Sequence, residues 1–140
     1  MIKSSMLGLL GLSTVLALLA LPTRPVAADK QHSDVWVAKG QKLYKQYCAT
    51  CDGLEGAGDG PAAAALKEPP ADLTRIQKPG EKFPFDAVRV VIDGEKAVTA
   101  HGSREMPVWG AVLRRTRGDL GQADIEALTK YVQSIQRAKA

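Results

Sequence analysis

The chain has 140 residues, 45% hydrophobic and 24% charged, which suits one compact domain and excludes both a disordered chain and a multi-span membrane protein. Formal net charge is +4 with a pI near 9.2, but no segment concentrates Lys and Arg into a nucleic-acid-binding stripe. Two cysteines and two histidines are too few for a disulfide-dense scaffold or a zinc-finger array.

The first 28 residues stand apart. Lys3 is the only charge ahead of a 16-residue run, Met6 to Leu21, made of apolar residues, Gly, Ser13 and Thr14. A bilayer span needs roughly 20 such residues. Pro22 follows, and Val26-Ala27-Ala28 offers the small residues a signal peptidase reads. Residues 1–28 are therefore expected to be a cleaved export signal, with Asp29 opening the mature domain, 29–140. The alternative is an uncleaved anchor, which would put the domain at a membrane. The segment carries Lys3 and Arg24 and no acid, so its removal lowers 19 basic residues to 17 against 15 acidic ones. A mature chain of 112 residues buries limited surface, so a cofactor or a cross-link is expected to help hold it together.

From Ser33 to about Cys48 the pattern predicts a helix. Trp36, Gly40, Leu43, Tyr44 and Tyr47 share one face at spacings of three and four. Ser33 suits the N-cap and Asp34 the first turn. Gly40 costs such a helix about 1 kcal/mol relative to Ala. Close approach of a second helix would explain it. From Asp52 to Pro70 the chain reads as a loop, punctuated by Gly53, Gly56, Gly58, Gly60, Pro61, Pro69 and Pro70 and interrupted only at Ala62 to Leu66. Ala71-Asp72-Leu73 opens a short turn. Phe85 to Ile92 reads as a short helix ended by Gly94, and His101 to Gly110 as irregular. A last helix is expected from about Ala123 to Gln136, with Ile125, Leu128, Tyr131, Val132 and Ile135 on its apolar face. No strand alternation and no internal repeat is present. Long loops in so small a domain point to loops that wrap something, and a flat apolar cofactor would supply the missing burial.

Cys48-Ala49-Thr50-Cys51 is a C-x-x-C at the end of the first predicted helix. Three readings are open. The thiols can pair with each other as a redox couple or a staple. They can bind a metal with two further ligands. Or they can be alkylated by the two vinyl groups of haem, a case that normally has His as the next residue. Here the next residue is Asp52. Lys67, Arg75, Lys78, Lys82 and Arg89 flank the loops, with Glu68 and Glu81 beside two of them, and read as solvated surface rather than as a docking patch for an acidic partner. The run Arg114, Arg115, Arg117 reads the same way.

The surroundings of the motif carry more than the motif. Gly40-x-x-Leu43-Tyr44-x-x-Tyr47-Cys48-Ala49-Thr50-Cys51, then Gly53, Gly56 and Gly58-Asp59-Gly60-Pro61, resembles the class I c-type cytochromes. So do Pro70-Ala71-Asp72-Leu73, Met106-Pro107-Val108-Trp109-Gly110 and a closing helix with Leu128 and Tyr131. The resemblance covers a core of about residues 34–137. It implies an all-α, cytochrome c-like fold in which the N- and C-terminal helices cross at the glycine and loops wrap one haem. It implies that Cys48 and Cys51 form thioethers to a single covalent haem c, and that Met106 is an axial ligand whose soft sulfur favours ferrous iron. The function implied is periplasmic one-electron transfer, with redox proteins of a respiratory or periplasmic chain as partners, no substrate chemistry of its own, and no nucleic acid.

Asp52 departs from the family pattern, which has the proximal histidine there. A carboxylate is harder, anionic and shorter by about one bond length, roughly 1.5 Å. Neither histidine substitutes easily. His32 lies about 24 Å from Cys48 along a continuous helix, and His101 lies five residues before Met106, on that ligand's side. His101 reads as a hydrogen-bonded loop residue. Asp52 leaves three explanations: an altered or open proximal site, a haem-free relative, or a one-base variant of a His-bearing parent. The functional alternatives follow from these. One is a haem-free or ligand-deficient binding module with this fold; the other is a peroxidase-like protein with an open iron. A thiol oxidoreductase would need a βαβ context that the pattern lacks.

Overall fold

The computed structural model describes residues 26–95 and 108–137. Its helices are α1 Val26–Tyr47, α2 Ala49–Asp52, α3 Phe85–Asp93, α4 Trp109–Arg117 and α5 Asp119–Ser134, with 3-10 turns at Ala63–Ala65 and Leu73–Arg75. No strand occurs among the described residues, as the expected all-α fold requires. No helix among them is long and apolar enough to cross a membrane. The export signal expected at 1–28 lies outside the described residues up to position 25.

The most extensive helix pair is α1 with α5, and α5 also packs on α3 and α4. The buried centre consists of Leu43, Tyr44, Ala49, Leu113, Ala127, Leu128 and Tyr131. Ile125 and Leu128 are essentially fully enclosed, and each such side chain contributes about 1.5–3 kcal/mol. Gly40 lies at the α1–α5 crossing. A Cβ there would collide with the backbone of Ala127, 2.7 Å from its carbonyl carbon, and stand 2.8 Å from Tyr131 Cβ. The glycine is kept because a second helix passes against it, as the sequence suggested.

Element boundaries differ from the sequence reading at α1, α4 and α5, with Trp109 and Gly110, expected in an irregular stretch, opening α4, and a one-turn helix α2 carries the C-x-x-C into the loop. Helix α1 starts at Val26 rather than Ser33, and Ser33 is an exposed position within it. Ala27, Ala28, Lys30 and Gln31 are good helix formers, and neither Gly nor Pro interrupts 26–39. Helix α4 was not anticipated, because nine arginine-rich residues carry too little apolar periodicity. It is held by its neighbours: Leu113 is buried, Gly110 lies against the backbone of Ile92 and Asp93, and Gly121 lies against Leu113. Helix α5 starts at Asp119 rather than Ala123. Gly118, at φ 54°, makes the corner between α4 and α5. By contrast, α3 ends as predicted, with Gly94 left-handed at φ 82° and its N–H donating to the Val90 and Val91 carbonyls.

Candidate haem-binding site

The C-x-x-C is pinned by backbone hydrogen bonds. Helix α1 stops at Tyr47, and the one-turn helix α2 carries Cys51 and Asp52. The loop that follows folds back on α2 and supplies the donors its last carbonyls need. Ala62 N–H donates to Thr50 (2.9 Å), Gly60 N–H to Cys51 (3.1 Å) and Gly58 N–H to Asp52 (2.8 Å). The Tyr44 hydroxyl donates to the Gly53 carbonyl at 2.7 Å from inside the core. A Cβ on Gly60 would stand 2.6 Å from the Cys51 carbonyl carbon, so the loop can lie this close only with glycine there. Leu73 N–H donates to Gly56 (2.8 Å), which ties the next segment on. Asp72 caps that turn by accepting from Thr74 N–H at 3.0 Å. The glycine-rich stretch is therefore an ordered sleeve around the motif.

Beneath the sleeve lies an apolar cavity of 330 Å³, within the range of ligand pockets. Every α-helix contributes to its wall. Cys48, Cys51 and Asp52 form one side, and residues such as Leu73, Val91, Trp109 and Leu128 form the rest. Tyr47 and Trp109 close it between α1 and α4, with ring centroids 5.0 Å apart. Apolar walls with two thiols on one side suit a flat, apolar group held by its edge, and the residues fit a haem in that respect. Cys48 and Cys51 would hold it.

No disulfide joins Cys48 and Cys51. Burial, with the Asp52 carboxylate and Cys51 adding to it, pushes the Cys48 thiol up to about 12. The Cys51 thiol is also raised, by burial first and by Asp52 second. A redox C-x-x-C needs the opposite, a lowered thiol that is thiolate near neutral pH. Among the described residues, no group of three or more His, Cys, Asp or Glu side chains gathers to hold a bare metal ion. The raised thiols run against the redox-couple reading.

Asp52 is 6% exposed. Burial pushes its carboxyl up to about 6. None of the described residues donates a hydrogen bond to this carboxylate or brings a cation to it. His32 is exposed at the far end of α1, where its Nε2 accepts from Trp36 Nε1 at 3.0 Å. Met106 and His101 lie outside the described residues.

Two buried acids escaped the sequence reading. Asp124 is fully enclosed, with Lys39 Nζ and Arg117 Nη1 each 2.7 Å from one of its oxygens. Asp93 is fully enclosed as well, with Arg114 at 2.9 Å and Arg89 at 4.0 Å. Its carboxyl is nevertheless raised, because burial outweighs the pull of Arg114. Arg89, Arg114 and Arg117, read from sequence as solvated surface, are thus partners of buried acids that bind α3 to α4 and α1 to α4 and α5. For Asp93 a signal existed, since Arg89 precedes it by four residues in one helix. Asp124 and Lys39 are 85 positions apart, and no local pattern links them.

A helical shell crossing at a glycine, an ordered glycine sleeve and a thiol pair on the wall of an apolar cavity define a small all-α domain suited to hold a flat apolar group by its edge. The family model for Cytochrome c matches residues 37–136, and the chain belongs to that family of haem electron carriers. No curated protein and no solved structure gives a significant match.

Proposed function

We propose that this protein is a mono-haem c-type cytochrome that carries single electrons outside the cytoplasm. The observation that carries this reading is the placement of Cys48 and Cys51 together on the wall of the apolar cavity, as thioethers to one haem c require. When bound, haem supplies an iron that cycles between ferrous and ferric states. The chain's own residues do the rest. The sleeve from Gly53 to Gly60 holds the two sulfurs in place. Leu73, Val91, Trp109 and Leu128 exclude water, which keeps solvent reorganisation small when charge changes. In this reading Met106 would supply a sulfur ligand to the iron. Redox proteins of a respiratory or periplasmic chain are the partners, and residues 1–28 export the domain to the periplasm, or tether it there if uncleaved.

The test is expression in a host with haem-maturation machinery. The expected protein carries one haem by mass, survives denaturation with haem attached, and shows a Soret band that shifts reversibly on reduction. Asp52 after the C-x-x-C favours a second reading, a haem-free binding module with the cytochrome fold. Protein purified from that host without any Soret band would decide for it.

A further inference from the structure

The core contains three buried aspartates, and the fold treats them differently. Asp93 and Asp124 each face a guanidinium or ammonium group within 2.9 Å. Asp52, 6% exposed, faces an apolar cavity and two thiols, and no described residue offers it a cation or a hydrogen bond. The Tyr44 hydroxyl, which lines the same cavity, donates to the Gly53 carbonyl instead. A buried carboxylate without a partner costs several kcal/mol, which is why such groups are paired or coordinate metals. The fold compensates two of its buried acids from its own side chains. It leaves the third to whatever fills the cavity.

The geometry points to Asp52 as an anionic oxygen ligand to the haem iron on the α2 side, holding that iron toward a ferric, high-spin state. The inference rests on the haem reading above. A carboxylate oxygen is a hard donor and prefers the harder ferric ion. Its negative charge, in a low-dielectric pocket, stabilises Fe(III) more than Fe(II). As a weak-field donor it leaves the ferric iron high-spin, where an imidazole nitrogen would pair the spins. The position is rigid, because Asp52 N–H donates to the Cys48 carbonyl at 2.9 Å and its own carbonyl accepts from Gly58.

The experiment compares matured protein with its Asp52→Asn, Asp52→Glu and Asp52→His variants at pH 8. Electron paramagnetic resonance reads the ferric spin state, and mediated optical titration reads the ferrous-to-ferric ratio at fixed poise. A high-spin ferric protein is expected. Asp52→Asn should raise the ferrous-to-ferric ratio at least tenfold, about 59 mV for one electron. Asp52→Glu should keep the ferric preference, and Asp52→His should become low-spin. A low-spin ferric wild type overturns the proposal and leaves the haem reading intact, as does a ratio that Asp52→Asn does not move. If Asp52→Asn fails to mature, the spin states of wild type, Asp52→Glu and Asp52→His decide by the same criteria. Haem loading by Asp52→His alone also overturns it, since Asp52 then fails to support the iron. No haem in any of the four proteins defeats both readings.

Discussion

Gly40→Ala pits two effects of opposite sign against each other at the α1–α5 crossing. By helix propensity alone the substitution stabilises a helix interior by about 1 kcal/mol. The tertiary contact opposes it. The new Cβ would stand 2.7 Å from the Ala127 carbonyl carbon and 2.8 Å from Tyr131 Cβ. Carbon–carbon contacts settle at about 3.5–4.0 Å, so the helices must part by roughly 1 Å. The obstruction is backbone, so no side chain can rotate away, and the cost falls at the upper end of the roughly 1–3 kcal/mol typical of overpacking. The net expectation is a loss of about 2 kcal/mol after the propensity gain is subtracted. At about 4 °C per kcal/mol for a domain of this size, the melting temperature falls by roughly 8 °C. Thermal unfolding followed by far-ultraviolet circular dichroism measures it. A neutral or raised melting temperature would refute the close crossing and leave Gly40 as a mere helix defect.

The ion cluster at Asp124 should respond asymmetrically. Replacing Lys39 and Arg117 together by Met strands a fully buried carboxylate and should cost about 3–5 kcal/mol in urea unfolding. Asp124→Asn instead frees two cations that are 39% and 43% exposed and can turn to water, for about 1–2 kcal/mol. Equal costs would show that Asp124 is not desolvated as described. Asp52 should make the haem-free chain pH-sensitive. Its carboxyl is raised from 3.8 to about 6 by burial, so the folded state holds a proton that the unfolded state has lost between those values. The penalty is absent below pH 4, grows as pH rises to 6 and is complete above it, at about 3 kcal/mol. Asp52→Asn should therefore match wild type at pH 4 and exceed it by that amount at pH 7.5. A constant difference across that range would contradict the assignment. Finally, iodoacetamide should modify Cys48 in the folded haem-free chain roughly a thousandfold more slowly at pH 8 than in the unfolded chain, given a thiol near 12 against 9.0.

Much of this protein was legible from local pattern. The face formed by Trp36, Gly40, Leu43 and Tyr44, the apolar stripe of the last helix and the stop at Gly94 each follow from spacing within a few residues. The C-x-x-C alone left three readings open, and haem was implied only by the resemblance that the motif, its glycine loop and the closing helix carry together. Of the Met-Pro-x-Trp stretch, Met106 and Pro107 lie outside the described residues, while Trp109 stands in the cavity wall.

What the tertiary structure decided was charge. Arg114 and Arg117 look like surface in one dimension, since nothing local shows that Asp93 and Asp124 are buried and in need of cations. Helix α4 was invisible for the same reason: it is held where Gly110 meets the α3 backbone and where its own backbone at Leu113 meets Gly121 of α5, not by its own periodicity. Asp52 combines both lessons. Its identity was plain in the sequence. Only the fold shows it sealed into an apolar cavity without a counter-charge among the described residues, because desolvation depends on which distant segments cover a residue.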